Sequence, residues 1–322
     1  MNMKVMRKVS GILVISAIIG TNLNAQVLND VITVYNEGAK LVQTDAKAAI
    51  ESFEKVVTLS DQVGESANDL KQKAIKVLPG LYFKEANNTM KDKKPAAEII
   101  KASKAAIAAA EKYGNATVKA NAGKVLAQGY NVMGVDYFTK KDYENALLAF
   151  DSLLAITPDN MNAIYNKALI YRGQSNDDAF EQTIDSFLGK VGGDTLKTRQ
   201  ASSLALEYFR AAGSKANQAD SLEKALALLN KAAKYGNDKD LFYYFADVYN
   251  KQKNFDSGAE FAQKGLDLET GDAEAKAKYY YQLAVAQVGK GQNAEACASF
   301  KNSTYGAFAE ASKAQRKNLK CE

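Results

Sequence analysis

The sequence predicts an all-α protein built from repeated pairs of helices. The chain has only three prolines among its 322 residues and is rich in alanine, which is the best helix former, whereas proline is the worst. Apolar side chains recur at the i, i+4 and i+7 spacing of amphipathic helices. The same succession of large and small residues returns along the chain, which indicates a repeat architecture.

The first 25 residues are predicted to be a signal peptide. Lys4, Arg7 and Lys8 supply a basic start, and an apolar run follows over 11–20. A Leu-x-Ala motif approximates the small-residue cleavage site, so we expect cleavage after Ala25. The run is shorter than the roughly 20 apolar residues of a membrane-spanning helix. An uncleaved anchor helix is the alternative.

Export predicts a periplasmic or secreted, envelope-associated protein with no integral membrane span after cleavage. No cysteine directly follows the apolar run, so a lipoprotein is not expected. Without the signal segment, 39 basic residues face 37 acidic ones. Nucleic-acid binding rests on neutralising many phosphates, so this balance gives no reason to expect a nucleic-acid partner.

The clearest repeat unit spans 127–160. Its pattern consists of Tyr130, Gly134, Tyr137, Asp142, Tyr143, Ala146, Phe150 and Pro158. The small residues Gly134 and Ala146 allow two antiparallel helices to approach closely, and the larger residues fill the grooves beside that contact. The short polar stretch 139–142 is predicted to turn the chain, and Pro158 to end the second helix.

This pattern resembles the tetratricopeptide repeat. Two further units, 239–272 and 277–310, resemble it well, and degenerate copies fill most of the remainder. The resemblance implies a right-handed α-solenoid of about seven helix–turn–helix repeats. We expect degenerate repeats over 26–126, better ones over 127–311, and a basic tail or capping helix over 312–322.

One degenerate copy is predicted to depart from the usual length. It runs from about Ala205 to Ala232, and its two helices are expected to be joined by a longer connection over 213–217. That stretch contains Gly, Ser and Asn, which are typical of loops. No Pro/Gly/Ser-rich linker separates independent domains. If a domain boundary exists, we expect it near 113–117.

The resemblance also implies a binding surface for a protein or peptide partner. In this family the first helix of each pair lines a concave groove. The matching positions here are Asn131, Val135, Phe138, Tyr165, Leu169, Arg172, Tyr243, Asp247, Asn250, Tyr281, Val285 and Val288. Tyrosine recurs at three equivalent positions and suits contacts because its ring is apolar and its tip polar. It is also common at this place in the repeat, and a homo-oligomer remains possible.

The residue inventory favours a non-catalytic protein. The chain has no histidine, which excludes Ser-His-Asp triads, Cys-His pairs and zinc sites that use His. The carboxylate pairs Asp177–Asp178 and Asp238–Asp240 leave an alternative open, a carbohydrate-binding or glycan-processing protein of the periplasm or cell surface. Helix capping explains these pairs better. We therefore predict no catalytic residue, no metal ligand and no cofactor.

The two cysteines, Cys297 and Cys321, are too few for a structural zinc site or an iron–sulfur cluster. In an oxidising compartment they would pair and tie down the C-terminal tail. A disulfide closing such a loop contributes about 3 kcal/mol in the chain-entropy model. The alternative is two unpaired thiols, with Cys297 packed as a small apolar residue.

Overall fold

The computed structural model describes residues 25–321, and all regular structure in that range is helical. The helices are α1 (25–41), α2 (Ala46–Val63), α3 (Asn68–Lys91), α4 (Ala96–Lys112), α5 (Ala116–Thr139), α6 (Tyr143–Ile156), α7 (Met161–Gly173), α8 (Asp177–Lys190), α9 (Thr195–Gln218), α10 (Leu222–Tyr235), α11 (Lys239–Lys251), α12 (Phe255–Leu268), α13 (Ala273–Gly289), α14 (Asn293–Asn302) and α15 (Ala309–Asn318). Apart from Ala25, the predicted signal peptide lies outside the described range. Within that range no helix is both long and apolar enough to cross a membrane.

The helices form seven consecutive pairs, α1–α2 through α13–α14, and α15 follows the last pair. The all-α class and the expectation of about seven helix–turn–helix units are confirmed for the described residues. Three residues join the helices in α5–α6, α9–α10, α11–α12 and α13–α14. The middle residue of each turn has a positive φ; these residues are Lys141, Asp220, Lys253 and Gly291. The connections therefore share one backbone geometry although their sequences differ.

Asp and Asn side chains begin most of the helices. Each accepts a hydrogen bond from the backbone N–H three residues on, which satisfies an otherwise orphaned donor. The caps include Asp45, Asn115, Asp142, Asn160, Asn176, Asp194, Asp238, Asn254 and Asp272. Asp238 is thus a cap, as predicted. The cap of α8 is Asn176, and Asp177 and Asp178 lie in its first turn, where the helix dipole favours negative charge.

The predicted long connection over 213–217 is wrong, because these residues lie inside α9. Gly213 packs against the second helix of its pair. A Cβ on it would lie 2.7 Å from Leu229 Cδ2. The same relation holds in the best unit, where a Cβ on Gly134 would lie 2.6 Å from Phe150. In both pairs the glycine precedes its bulky partner by 16 residues, so this copy has the ordinary repeat length.

The chain divides into two compact units between Ala163 and Ile164. The boundary therefore falls at the start of α7 and not near 113–117. The core of unit 1 is built on aliphatic and small residues with Phe53 among them. The core of unit 2 is richer in aromatic rings, and its fully buried residues include Phe209 and Tyr279.

The C-terminal residues end in a short helix and a covalent link. Residues 312–318 belong to α15, and a disulfide joins Cys297 in α14 to Cys321 behind α15. The side chains of Ser303 and Ser312 are buried, and their oxygens lie 2.7 Å apart. Within the described residues, this segment therefore packs on the last helix pair.

Candidate functional site

The first helices α9, α11 and α13 of unit 2 lie side by side and are joined by polar side chains. Asp247 in α11 links all three. Its carboxylate accepts a hydrogen bond from Asn217 Nδ2 at 2.5 Å and another from Gln282 Nε2 at 2.9 Å. Lys251 Nζ lies 3.3 Å from the same carboxylate. Each of these contacts is charge-assisted, and such bonds are stronger than neutral ones.

A second set of contacts lies towards the N-terminus of α11. Arg210 in α9 pairs with Asp238 and lies 3.9 Å from Asp240. Lys278 in α13 donates a hydrogen bond to Asp240 at 2.6 Å. Burial raises the pKa of Asp240, but the hydrogen bond from Lys278 and the charges of Lys278 and Arg210 outweigh it and lower the pKa overall. Asp240 therefore stays ionised at neutral pH.

We call Arg210, Asn217, Asp240, Asp247, Lys278 and Gln282 the polar network. Of these residues, only Asp247 was predicted from the repeat positions. The others lie 28 to 38 residues from their partners in the chain, so that only stacked repeats bring them together. In the sequence, these partners could have been found only as polar residues that recur about one repeat apart.

Tyr243 lies beside the polar network on α11. Its ring is half-buried, 5.3 Å from the ring of Tyr244 and 6.2 Å from that of Tyr279. Lys278 Nζ lies 5.4 Å from its centroid, within the range of a cation–π contact. Burial, followed by the charge of Asp247, raises the pKa of Tyr243 to about 12. Its hydroxyl is therefore protonated at neutral pH.

The structure corrects the prediction for Asn250, which is only 6% exposed. Its Nδ2 donates to the backbone oxygen and to Oε1 of Gln282, both at 2.9 Å. Gly258 makes room for its amide, because a Cβ there would lie 2.1 Å from Asn250 Oδ1. Asn250 therefore packs between helices and is not available to a partner.

Tyr281, Val285 and Val288 in α13 are half-buried and pack on the cluster around Phe300. The Tyr281 ring lies 5.7 Å from the ring of Phe300 and 5.2 Å from that of Phe308. The C-terminal segment packs on the same cluster. These three residues are therefore less accessible to a partner than predicted.

The α7 residues lie at the other end of unit 2. The Tyr165 ring is 5.3 Å from that of Phe187, and its outer edge lines a shallow cleft with Arg199 and Glu207 of α9. Leu169 is half-buried, and Arg172 is exposed.

The remaining predicted positions, Asn131, Val135 and Phe138, lie on α5 in unit 1. Val135 is exposed, whereas Asn131 and Phe138 are half-buried. The Phe138 ring lies 6.2 Å from that of Tyr143 across the turn of its own pair. This short line of residues on α5 has no counterpart of the polar network.

The carboxylate pairs are engaged in structural contacts. Asp177 accepts the hydroxyl hydrogen bond of Tyr208 at 2.5 Å, and Asp178 pairs with Lys231 at 2.8 Å. Asp238 caps α11 and pairs with Arg210. Within residues 25–321, no group of three or more Cys, Asp or Glu side chains is arranged to hold a metal ion.

Three pairs carry the same internal contact. A glycine of the first helix lies against a bulky residue of the second in α1–α2, α5–α6 and α9–α10. The glycines therefore allow the close helix approach that the repeat pattern predicts in these three pairs. No protein-family model matches the chain, and no curated protein sequence matches it.

Solved structures that match include tetratricopeptide proteins. MamA is 20% identical, with 61% of this chain and 96% of that chain covered and a TM-score of 0.34. A tetratricopeptide repeat protein from Parabacteroides merdae ATCC 43184 is 17% identical, with 92% and 99% covered and a TM-score of 0.30. Yeast Tom70 is 15% identical, with 94% and 75% covered and a TM-score of 0.31. At these scores the matches carry no argument.

Proposed function

We propose that this chain is a non-catalytic scaffold that binds an extended segment of a partner protein along α9, α11 and α13 of unit 2. The polar network with Tyr243 carries the proposal. It places partly exposed charged side chains and the ring of Tyr243 on three adjacent first helices. The amides of Asn217 and Gln282 are buried and hold Asp247 in place by hydrogen bonds.

The chemistry of this surface favours a polar peptide over an apolar helix. Asp247 and Lys278 are each held by neighbouring helices, so their positions are set before a partner arrives. Groups that are already ordered lose less conformational entropy on binding. Tyr243 adds apolar contact area without a large entropy cost, because its ring has few rotatable bonds.

The non-catalytic part of the proposal rests on what the acidic residues do. Asp177 accepts a hydrogen bond from Tyr208, and Asp178 pairs with Lys231. Asp238 caps the N-terminus of α11. A glycan-cleaving site requires two carboxylates that face a common substrate. These side chains are instead committed to the fold.

We further propose that the scaffold works outside the cytoplasm, in envelope assembly or the organisation of an envelope complex. The support comes from the sequence, where Lys4, Arg7 and Lys8 precede the apolar run 11–20 and a cleavage motif ends at Ala25. Fractionation of cells that express the tagged full chain tests this part. Recovery in the cytoplasm without loss of the first 25 residues would contradict it.

The binding surface is tested by affinity capture from envelope extracts with the chain that begins at Gln26. The test variant is Tyr243→Ala with Lys278→Ala, and the matched control is Lys264→Ala on the second helix α12, where Lys264 is exposed. We expect the wild type and the control to retain the same protein and the double variant to lose it. Equal capture by all three would place binding elsewhere.

A further inference from the structure

The disulfide Cys297–Cys321 opens onto a surface cleft and is not enclosed in the core. Both cysteines are half-exposed. The charged residues that line the cleft are Lys301, Arg316 and Lys320, and all three are basic. Exposed disulfides are the ones that thiols can reach, and nearby positive charge stabilises the thiolate that leaves when the bond is cleaved.

The disulfide holds a segment that buries few side chains. Helix α15 has ten residues and only one buried side chain, Ser312. Isolated helices shorter than about 12 residues are marginal in water. Its contacts with the preceding residues include the Ser303–Ser312 hydroxyl pair, a hydrogen bond from the Ser312 hydroxyl to the Ser303 backbone oxygen at 3.2 Å, and the half-buried Leu319, which packs on the Phe300 cluster.

The segment also covers residues of the last helix pair. Leu319 packs on the same cluster as Tyr281, Val285 and Val288, and Phe308, just before α15, packs on Tyr281. Loosening the segment therefore uncovers apolar area on α13 and α14.

We propose that Cys297–Cys321 is a reducible site for thiol–disulfide exchange, and that its reduction by a dithiol releases α15 from the last helix pair. One thiolate of the dithiol attacks a protein sulfur and expels the other as a thiolate. The second thiolate of the reagent then attacks the reagent's own sulfur in the resulting mixed disulfide, which forms the reagent's internal disulfide and expels the remaining cysteine as a thiolate. The protein gains two electrons and two protons, and the dithiol is oxidised to a disulfide.

Release has a consequence for the partner surface. It uncovers the part of the Phe300 cluster on which Leu319 packs and loosens the contact of Phe308 with Tyr281, which occupies the repeat position of Tyr243. This consequence rests on the proposed function, whereas the release itself does not. The exchange site therefore sets how far the binding surface extends towards the C-terminus.

The test treats the folded full chain with dithiothreitol in the absence of denaturant. Mass spectrometry counts the free thiols, and hydrogen–deuterium exchange follows residues 309–320, with α11 as an internal reference. We expect complete reduction and faster exchange in α15, on the order of a hundredfold from the lost loop constraint. Exchange in α11 should not change, and reoxidation should restore protection in α15.

Two results would overturn the proposal. One is a bond that is reduced only under conditions that also unfold α11. The other is a reduced protein in which α15 keeps its protection. The measurement uses the wild-type chain, so it does not depend on whether a cysteine variant folds.

The role of the basic cleft has its own test. The variant Lys301→Gln with Lys320→Gln should slow reduction several-fold at an unchanged melting temperature, because two of the three charges that favour the leaving thiolate are lost. The control is Lys313→Gln, on α15 but not among the residues that line the cleft. An equal rate in all three proteins would show that the cleft charges do not promote exchange.

Discussion

Gly213→Ala should destabilise the protein, although alanine is the better helix former. Gly213 lies inside α9, and a Cβ at this position would meet Leu229 Cδ2 at 2.7 Å, Leu229 Cγ at 2.8 Å and the Ala225 carbonyl oxygen at 3.3 Å. The first two distances are too short for carbon atoms, so α9 or the Leu229 side chain has to move.

The size of the effect follows from two opposing terms. Adding a methyl group to a packed contact costs about 1–3 kcal/mol. Replacing glycine by alanine inside a helix contributes about 1 kcal/mol in the other direction. We therefore expect a net loss of up to about 2 kcal/mol in the free energy of unfolding. Gly123→Ala is the matched control, since Gly123 is helical and has no neighbour within 4 Å of a Cβ. It should stabilise by about 0.5–1 kcal/mol.

The assay is the melting temperature by calorimetry, measured for both variants and for Leu229→Ala with and without Gly213→Ala. The Gly213→Ala change should lower the melting temperature in the wild-type background and be neutral or stabilising once Leu229 is truncated. If Gly213→Ala stabilised the wild type as much as it stabilises the Leu229→Ala background, Gly213 would not occupy the close contact, and the ordinary repeat length of α9–α10 would be refuted.

Three further predictions concern the polar network. Asp247→Ala should lower the free energy of unfolding by about 2 kcal/mol, because Asn217 and Gln282 lose a charged acceptor; an unchanged denaturation midpoint would refute this. Because the folded-state pKa of Asp240 is lowered, its contribution to stability should be present above pH 4 and lost as the pH falls through the folded value. Asp240→Asn should flatten the acid limb of a stability profile. Because the pKa of Tyr243 is raised to about 12, its contribution should be present below pH 10 and lost towards pH 12. Absorbance titration of wild type and Tyr243→Phe should show one late phenol fewer in the variant.

The fold was largely predictable because local signals agreed with it. The polar stretch 139–142 and Pro158 predicted where α5 and α6 end, and Gly134 with Ala146 predicted the close helix contact. The prediction of a connection over 213–217 was wrong because a glycine next to a serine is typical of a turn. The packing partner of Gly213, Leu229, could be recognised only once the two helices were placed.

The candidate site was less predictable than the fold. Repeat positions identified Tyr243 and Asp247 on the first helices. They also selected Asn250, which lies at an equivalent spacing but is buried against Gln282. Cross-helix partners such as Lys278 depend on how adjacent repeats stack, and a single repeat does not encode that arrangement.

The central claim is that the α9–α11–α13 face of unit 2 receives the partner. Site-specific photo-crosslinking tests it most directly, with benzoylphenylalanine in place of Tyr243 and, as control, in place of the exposed Leu268 on α12. The account predicts a crosslinked protein from position 243 and none from position 268. Crosslinking from position 268 alone, or from neither position under conditions where the partner is captured, would contradict it.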